Sequence, residues 1–314
     1  MTTIKCHNCA ERAAIRMRQH RLSLCKDHYI EWFVEQTERA IKKYHMVTRG
    51  ERILVAVSGG KDSLALWDVL WKLEYDADGL YINLGITSDG NYSDESERYA
   101  REFAAERGLN LQVINIAGLY GETIPQIALR SSRGRHKPCS ICGMVKRHEM
   151  NRIAHDLGYP VLATAHNLDD EVAVLFGNVM MWQTDLIARQ APVLEESAGF
   201  ARKVKPFIRF YERETAAYTL LRGIPYIEEE CPHAEGSKQL HYKALINKME
   251  EDQPGLKLAF YVGFLNAKQK GAFGDLQEAK NKLVLSLCPT CGQPTTSSDL
   301  CAFCRTVNPA QPPG

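Results

Sequence analysis

The residues best suited to chemistry are the string Ser58-Gly59-Gly60-Lys61-Asp62-Ser63 and a set of ten cysteines. The string follows the apolar run Ile53-Leu54-Val55-Ala56-Val57. A buried strand that runs into a glycine turn, with a helix opening at Asp62, aims unpaired backbone N–H groups and the positive end of a helix at one point. That is an anion site. Glycine lets a phosphate approach the backbone because no Cβ intervenes, and Lys61 adds a point charge. The Walker pattern differs, since it needs four residues between Gly and Gly-Lys. A carboxylate beside a polyphosphate is unfavourable unless magnesium bridges them. Asp62 is therefore expected to hold magnesium or handle a proton, with a helix N-cap as the structural alternative.

Eight of the cysteines fall in Cys-x-x-Cys pairs, at 6 and 9, 139 and 142, 288 and 291, and 301 and 304. Cys25 and Cys231 stand apart. In a reducing compartment such spacing suggests metal, not disulfides. Cys6-x-x-Cys9 with Cys25-x-x-His28 supplies three thiolates and an imidazole, and Cys288, Cys291, Cys301 and Cys304 supply four thiolates. Each quartet matches the tetrahedral N/S preference of zinc. Neither module has the apolar residues to fold by burial alone, so two structural Zn2+ ions are expected to take the place of a core.

Cys139 and Cys142 follow a basic loop (Arg130, Arg133, Arg135, Lys137), and Cys231 precedes Pro232. These three thiols can hold a 4Fe-4S cluster with one iron left free of protein ligand, where such clusters normally use four cysteines. They can instead carry a persulfide and resolve it as a disulfide, or hold a third zinc, or be plain buried thiols. Lys146, four residues after Cys142, falls on the same helix face. An ammonium and a helix N-terminus there would lower a thiol pKa. Downstream, Ala163-Thr-Ala-His-Asn-Leu-Asp-Asp-Glu171 places His166, Asn167, Asp169 and Asp170 where a strand meets a helix. The two aspartates suit magnesium or a helix cap equally.

The elements that position these groups alternate. Strands are expected at Ile53–Val57, Gly79–Ile82, Leu111–Ile114 and Val161–Thr164, with helices at Ser63–Leu73, Asp94–Arg107 and Met144–Leu157. This pattern gives an α/β, doubly wound parallel sheet, whose ligands sit beyond the carboxyl ends of the strands. The division is residues 1–30, an N-terminal zinc finger; 31–50, a linking helix; 51–239, the catalytic domain; 240–283, a helical extension; 284–307, a C-terminal zinc finger; and 308–314, a disordered tail. The chain has 314 residues and a net charge of +1, which excludes a globally basic nucleic-acid binder. Local basic groups at Arg12, Arg16, Arg18 and Arg21, at Arg130–Lys137, at Arg202, Lys203, Lys205 and Arg209, and at Lys268 and Lys270 leave a phosphate-backbone footprint open. No apolar run approaches the roughly 18 residues of a membrane span, and no apolar leader opens the chain, so a cytoplasmic protein is expected.

The glycine string resembles the PP-loop of ATP pyrophosphatases, a Rossmann-like fold. Together with Pro138-Cys139-Ser-Ile-Cys142-Gly143, Lys146-Arg147, Ala163–Glu171, Cys231-Pro232 and both terminal modules, it resembles the TtcA/TtuA family of tRNA 2-thiolation enzymes. The two zinc modules place it nearest the TtuA branch, which makes 2-thioribothymidine in the T loop of tRNA. The resemblance implies ATP held by Ser58, Gly59, Gly60, Lys61, Asp62 and Ser63, with adenine read by main chain near Ala56 and Ile82. It implies a 4Fe-4S cluster on Cys139, Cys142 and Cys231, and catalytic roles for Lys146 and Asp170. It further implies a tRNA substrate, a ubiquitin-like thiocarboxylate sulfur carrier and a homodimer, with no membrane partner. Ala165 stands where the family usually has glycine, at a point of approach to ATP. The alternatives are wobble-uridine thiolation, a cluster-free persulfide relay, an amidotransferase-like ligase that would not need the three central thiols, and a zinc-ribbon RNA binder that would leave the phosphate loop idle.

Overall fold

The computed structural model describes residues 4–87, 91–197, 199–233, 238–273 and 285–307. The chain begins with a short antiparallel hairpin, β1 (Ile15–Met17) and β2 (Leu22–Leu24). The helix α1 (Lys26–Lys43) follows, starting five residues before the expected linking helix at 31–50 and ending seven residues before its end. Its Phe33 ring stacks on Phe210 and Tyr218, at centroid distances of 4.0 and 4.5 Å, and pins the N-terminal part to the sheet domain.

The sheet domain then alternates β3 (Ile53–Val57), α2 (Lys61–Lys72), β4 (Ala77–Asn83), α3 (Tyr92–Arg107) and β5 (Leu111–Asn115). Three short helices, α4 (Ile116–Tyr120), α5 (Ile124–Arg130) and α6 (Ser132–His136), lead into the long α7 (Pro138–Asp156). Next come β6 (Val161–Ala163), α8 (Leu168–Met180), α9 (Thr184–Arg189), β7 (Val193–Leu194), β8 (Arg202–Val204) and α10 (Glu212–Arg222). The six strands lie in the order β5-β4-β3-β6-β8-β7, all parallel except the edge strand β7. The central strands are apolar and buried on both faces, as helix-covered parallel strands must be. The chain runs from β3 outward to β5 and returns on the other side of β3, so the order switches between β3 and β6. The crevice beyond their carboxyl ends is where such sheets bind ligands.

The β7–β8 pair is not legible in the sequence. Arg202-Lys-Val reads as a basic patch, and its three-residue length gives no alternation to detect. Helix α7 opens at Pro138, a favoured first position, and not at Met144. Cys139 and Cys142 therefore sit in its first turns. Helices α11 (Lys238–Asp252) and α12 (Leu256–Gln269) pack on α8. The chain closes with a second hairpin, β9 (Ser286–Leu287) and β10 (Pro294–Thr295), and helix α13 (Ala302–Val307). The remainder of the expected helical extension, 274–283, and the tail, 308–314, lie outside the described residues. No helix among the described residues is long and apolar enough to cross a membrane.

Candidate active site

Gly60 caps α2 in an extended conformation. The first hydrogen bond of the helix runs from Leu64 N–H to Gly60 O, at 3.2 Å. The amides of Lys61, Asp62 and Ser63 therefore have no acceptor within the helix. Ser63 Oγ donates to Gly60 O and accepts from Ser58 N–H, both at 3.0 Å, and so ties the turn shut. The two glycines do different jobs. Gly59 has φ +75°, and a Cβ there would lie 2.2 Å from Ser96 O in α3. Its glycine is required by packing as well as by conformation. A Cβ on Gly60 would meet only Ser58 Oγ, at 3.5 Å, which leaves its outer side open to an anion.

Lys61 Nζ lies 3.1 Å from Asp62 Oδ2 and 2.8 Å from Glu212 Oε1. Lys243 Nζ lies 3.0 Å from Glu212 Oε2 and 2.7 Å from Asp170 Oδ1. The result is a chain of alternating charges, Asp62–Lys61–Glu212–Lys243–Asp170, drawn from α2, α10, α11 and α8. Burial lifts the Asp62 carboxyl above its ordinary range, against the pull of Lys61 and the Thr215 hydroxyl, which donates to it. Burial disfavours the Lys61 ammonium, but Asp62 and Glu212 outweigh it and raise the group.

The aspartates of the second motif separate. Asp169 is buried against Lys257 Nζ at 2.6 Å and accepts from Glu212 N–H at 3.0 Å. It is thereby committed to fixing α8 against α10 and α12. Asp170 forms a reciprocal capping box with Asn167, at 3.1 Å in each direction. It still presents an oxygen to Lys243, so it serves as cap and site carboxylate together. His166 is exposed and bonded to Thr164 Oγ1. Ala165 is half-buried against the main core.

A cavity of about 100 Å³ opens beyond the ends of β3 and β4. Ala56, Ser58, Ile82, Tyr92, Lys146 and Met150 are among its walls. Lys146 and Met150 come from α7, the helix that carries two of the central thiols. Cys139 Sγ donates to His233 O at 3.1 Å, which brings the segment after Cys231 against the start of α7. Burial pushes the Cys142 thiol up. Lys146 pulls the other way, and Cys231 and Cys139 add to the rise. The lowering expected from the ammonium is present but smaller than the desolvation. Burial likewise lifts the Tyr92 hydroxyl, with the Cys231 and Cys142 thiols next in effect. The cavity wall and the thiols are therefore neighbours.

At the chain ends, the ligand atoms of Cys6, Cys9, Cys25 and His28 lie within 4.8 Å of one another, as do those of Cys288, Cys291, Cys301 and Cys304. A tetrahedral ion with bonds of about 2.3 Å sets its sulfurs roughly 3.8 Å apart. Cys9 and Cys25 are separated by 3.8 Å, and Cys291 and Cys301 by 3.7 Å. Both donor sets thus fit zinc. Cys139, Cys142 and Cys231 are not among the groups this close. Sequence reasoning missed Glu212, Lys243, Thr215 and Lys257. Each is an ordinary helix residue with no motif around it, and only the packing of α10, α11 and α12 makes it part of the site.

Residues 32–235 match the PP-loop domain family, and residues 5–30 match the N-terminal LIM domain of the 2-thiouridine synthetase TtuA. Over 300 residues the chain is 49% identical to a tRNA-5-methyluridine(54) 2-sulfurtransferase of Thermus thermophilus, covering 96% of this chain and 90% of that one. A protein of the same name from Pyrococcus horikoshii is 41% identical over 302 residues, covering 96% and 93%. Among solved structures, the U34-tRNA thiolase NcsA from Methanococcus maripaludis with its [4Fe-4S] cluster superposes with a TM-score of 0.71. The two are 21% identical, over 86% of this chain and 88% of that one, and share the fold.

Proposed function

Because the chain belongs to the PP-loop family, and within it to the tRNA-5-methyluridine(54) 2-sulfurtransferases, we propose that it uses ATP to replace the C2 oxygen of a tRNA 5-methyluridine with sulfur. The C2 oxygen is a poor leaving group. Attack by that oxygen on the α-phosphorus of ATP expels pyrophosphate and converts the oxygen into part of AMP. Sulfide then adds to C2, and AMP departs with the oxygen. Sulfur enters and leaves the sequence at the sulfide level, so no oxidant is needed.

The amides of residues 61–63 and the Lys61 ammonium neutralise the departing pyrophosphate. Adenine is held at the main chain of Ala56 and Ile82, in the cavity beyond β3 and β4. Asp62 and Asp170 are the carboxylates that would hold Mg2+ on the phosphates. Asp62 and Asp170 each face an ammonium group, Lys61 and Lys243 respectively. Lys146, on the cavity wall, meets the α-phosphate and the adenylate. When bound, a 4Fe-4S cluster on Cys139, Cys142 and Cys231 would supply an iron free of protein thiolate, at which sulfide can be held. The terminal quartets are read as two Zn2+ sites that fold modules lacking cores of their own. The catalytic domain spans residues 51–239, between the N-terminal zinc finger (1–30) with its linking helix (31–50) and the helical extension (240–283), and α11 contributes Lys243 to its site. A ubiquitin-like thiocarboxylate sulfur carrier and a homodimer are proposed on family resemblance, and a cytoplasmic location on the sequence's lack of an apolar leader or span.

The observation that carries this reading is that one cavity touches both the phosphate loop, through Ser58, and the thiol-bearing helix, through Lys146. The target base must leave its stack to reach it. Incubation with tRNA, ATP and sulfide, followed by nucleoside mass spectrometry, is expected to give 2-thio-5-methyluridine, AMP and pyrophosphate. The Cys231→Ala variant is expected to keep its zinc and fold but yield no thiolated base. Undiminished thiolation in that variant would remove the central thiols from the mechanism, and sulfur found at a wobble uridine would transfer the assignment to that substrate.

A further inference from the structure

Helix α7 is engaged on two opposite sides. Cys139, Cys142, Lys146 and Met150 are spaced three and four residues apart and share one face, which adjoins the cavity. Ile141, Val145 and His148 share the other face and are buried. The C-terminal cysteine module covers that second face. Phe303, in α13 between Cys301 and Cys304, lies parallel to the His148 ring with centroids 3.5 Å apart and planes 3° from coplanar. Gln293 Nε2 donates to the His148 carbonyl at 3.0 Å. The His148 ring plane is itself fixed, because Nδ1 bonds the buried Glu149 carboxylate at 2.8 Å. Glu149 also accepts from Arg152, at 2.7 Å, and from the Tyr120 hydroxyl, at 2.7 Å, while the Tyr120 ring packs edge-on against Phe303 at 5.3 Å. Cys288, Cys301 and Cys304 belong to the same apolar cluster as Ile141 and Val145, and Cys142 and Cys231 pack against it.

We infer that the C-terminal module acts as the back wall of the catalytic helix, with Phe303 and His148 as positioning residues for Cys139, Cys142 and Lys146. The ligands on either side of Phe303 hold its ring in place. Without metal the module has too few apolar residues to stay folded, and the buried face of α7 loses its cover. The inference rests on the quartet holding metal and does not depend on which base is thiolated.

The test is hydrogen exchange of α7, together with alkylation rates of Cys139 and Cys142 in cluster-free protein, with α2 as the internal control and metal content measured throughout. In Phe303→Ala, exchange at 138–150 and alkylation are expected to accelerate by about tenfold or more, the loss of a buried aromatic pair, while α2 keeps its rate. Phe303→Leu is expected to restore most of the protection. His148→Gln removes the stack from the helix side and is expected to loosen α7 with the C-terminal metal retained. This variant covers the case in which Phe303→Ala cannot hold its module together. Chelation of zinc from the wild-type chain is expected to reproduce the pattern. Unchanged protection of α7 in metal-loaded His148→Gln, or after removal of the C-terminal metal, would overturn the inference. So would equal acceleration in α2 and α7, which signals general destabilisation.

Discussion

Glu212 shows how a single side chain acquires a role from its neighbours. Burial raises its carboxyl, but the Lys243 and Lys61 ammonium groups outweigh that and hold it at about 2, from an ordinary 4.5. A carboxyl depressed in the folded state contributes stability above its unfolded pKa and loses it as pH falls through the folded value. Denaturation of the wild type and Glu212→Gln should therefore differ most near neutrality. The gap should close between about pH 4.5 and pH 2, and a pH-independent gap would show that the carboxylate is unpaired. Lys61 bridges Glu212 and the phosphate loop. Lys61→Ala is expected to weaken ATP binding by about 2 kcal/mol, the scale of a charge-assisted hydrogen bond. Calorimetry that finds equal affinity would detach the loop from the nucleotide. Lys61 was identifiable from its place in a motif. Glu212 was not, because nothing near it in the chain distinguishes it from other acidic residues in a first helical turn.

At the scale of elements, the strand–loop–helix unit of β3 and α2 depends on its contact with α3. Gly59→Ala must place a methyl group where Ser96 O lies, in a backbone region that costs an L-residue roughly 1–2 kcal/mol before any clash. It is expected to displace the loop, lower the melting temperature and abolish ATP binding. Gly60→Ala should keep the melting temperature and impair only nucleotide binding. Equal behaviour of the two variants would contradict the division of labour between them. The strand–helix alternation was legible because strands buried on both faces are continuously apolar and the helices between them are long. The helix expected from Met144 starts six residues earlier, at Pro138, since the polar and cysteine-rich first turns carry no apolar period.

Over the whole molecule, arginines of the sheet domain such as Arg52, Arg107, Arg152, Arg202 and Arg222 are ion-paired. Arg16, Arg18 and Arg21 on the N-terminal hairpin make no ion pair among the described residues, and they line an open cleft of about 670 Å³ with His7. Cations without carboxylate partners are available to a phosphate backbone. Replacing each of these three with alanine should weaken tRNA binding and reduce the slope of log affinity against log salt by about one. A salt slope that stays constant would place the backbone contacts elsewhere. The near-neutral net charge gave no hint of this, because it averages a paired domain with an unpaired module.

The sequence by itself determined the phosphate loop, both cysteine quartets and the parallel α/β sheet. Each of these is built from short local motifs, a six-residue loop, Cys-x-x-Cys or Cys-x-x-His knuckles, and apolar strand runs, whose internal spacing fixes what each can do. Tertiary structure alone decided that Asp169 is locked into packing while Asp170 faces the site, and that α11 and α10 deliver Lys243 and Glu212 to the loop. It also decided that the C-terminal module seats on the back of α7. Those outcomes depend on which helix faces meet across the sheet, and a face is set by burial partners distant in the chain, which no local pattern encodes.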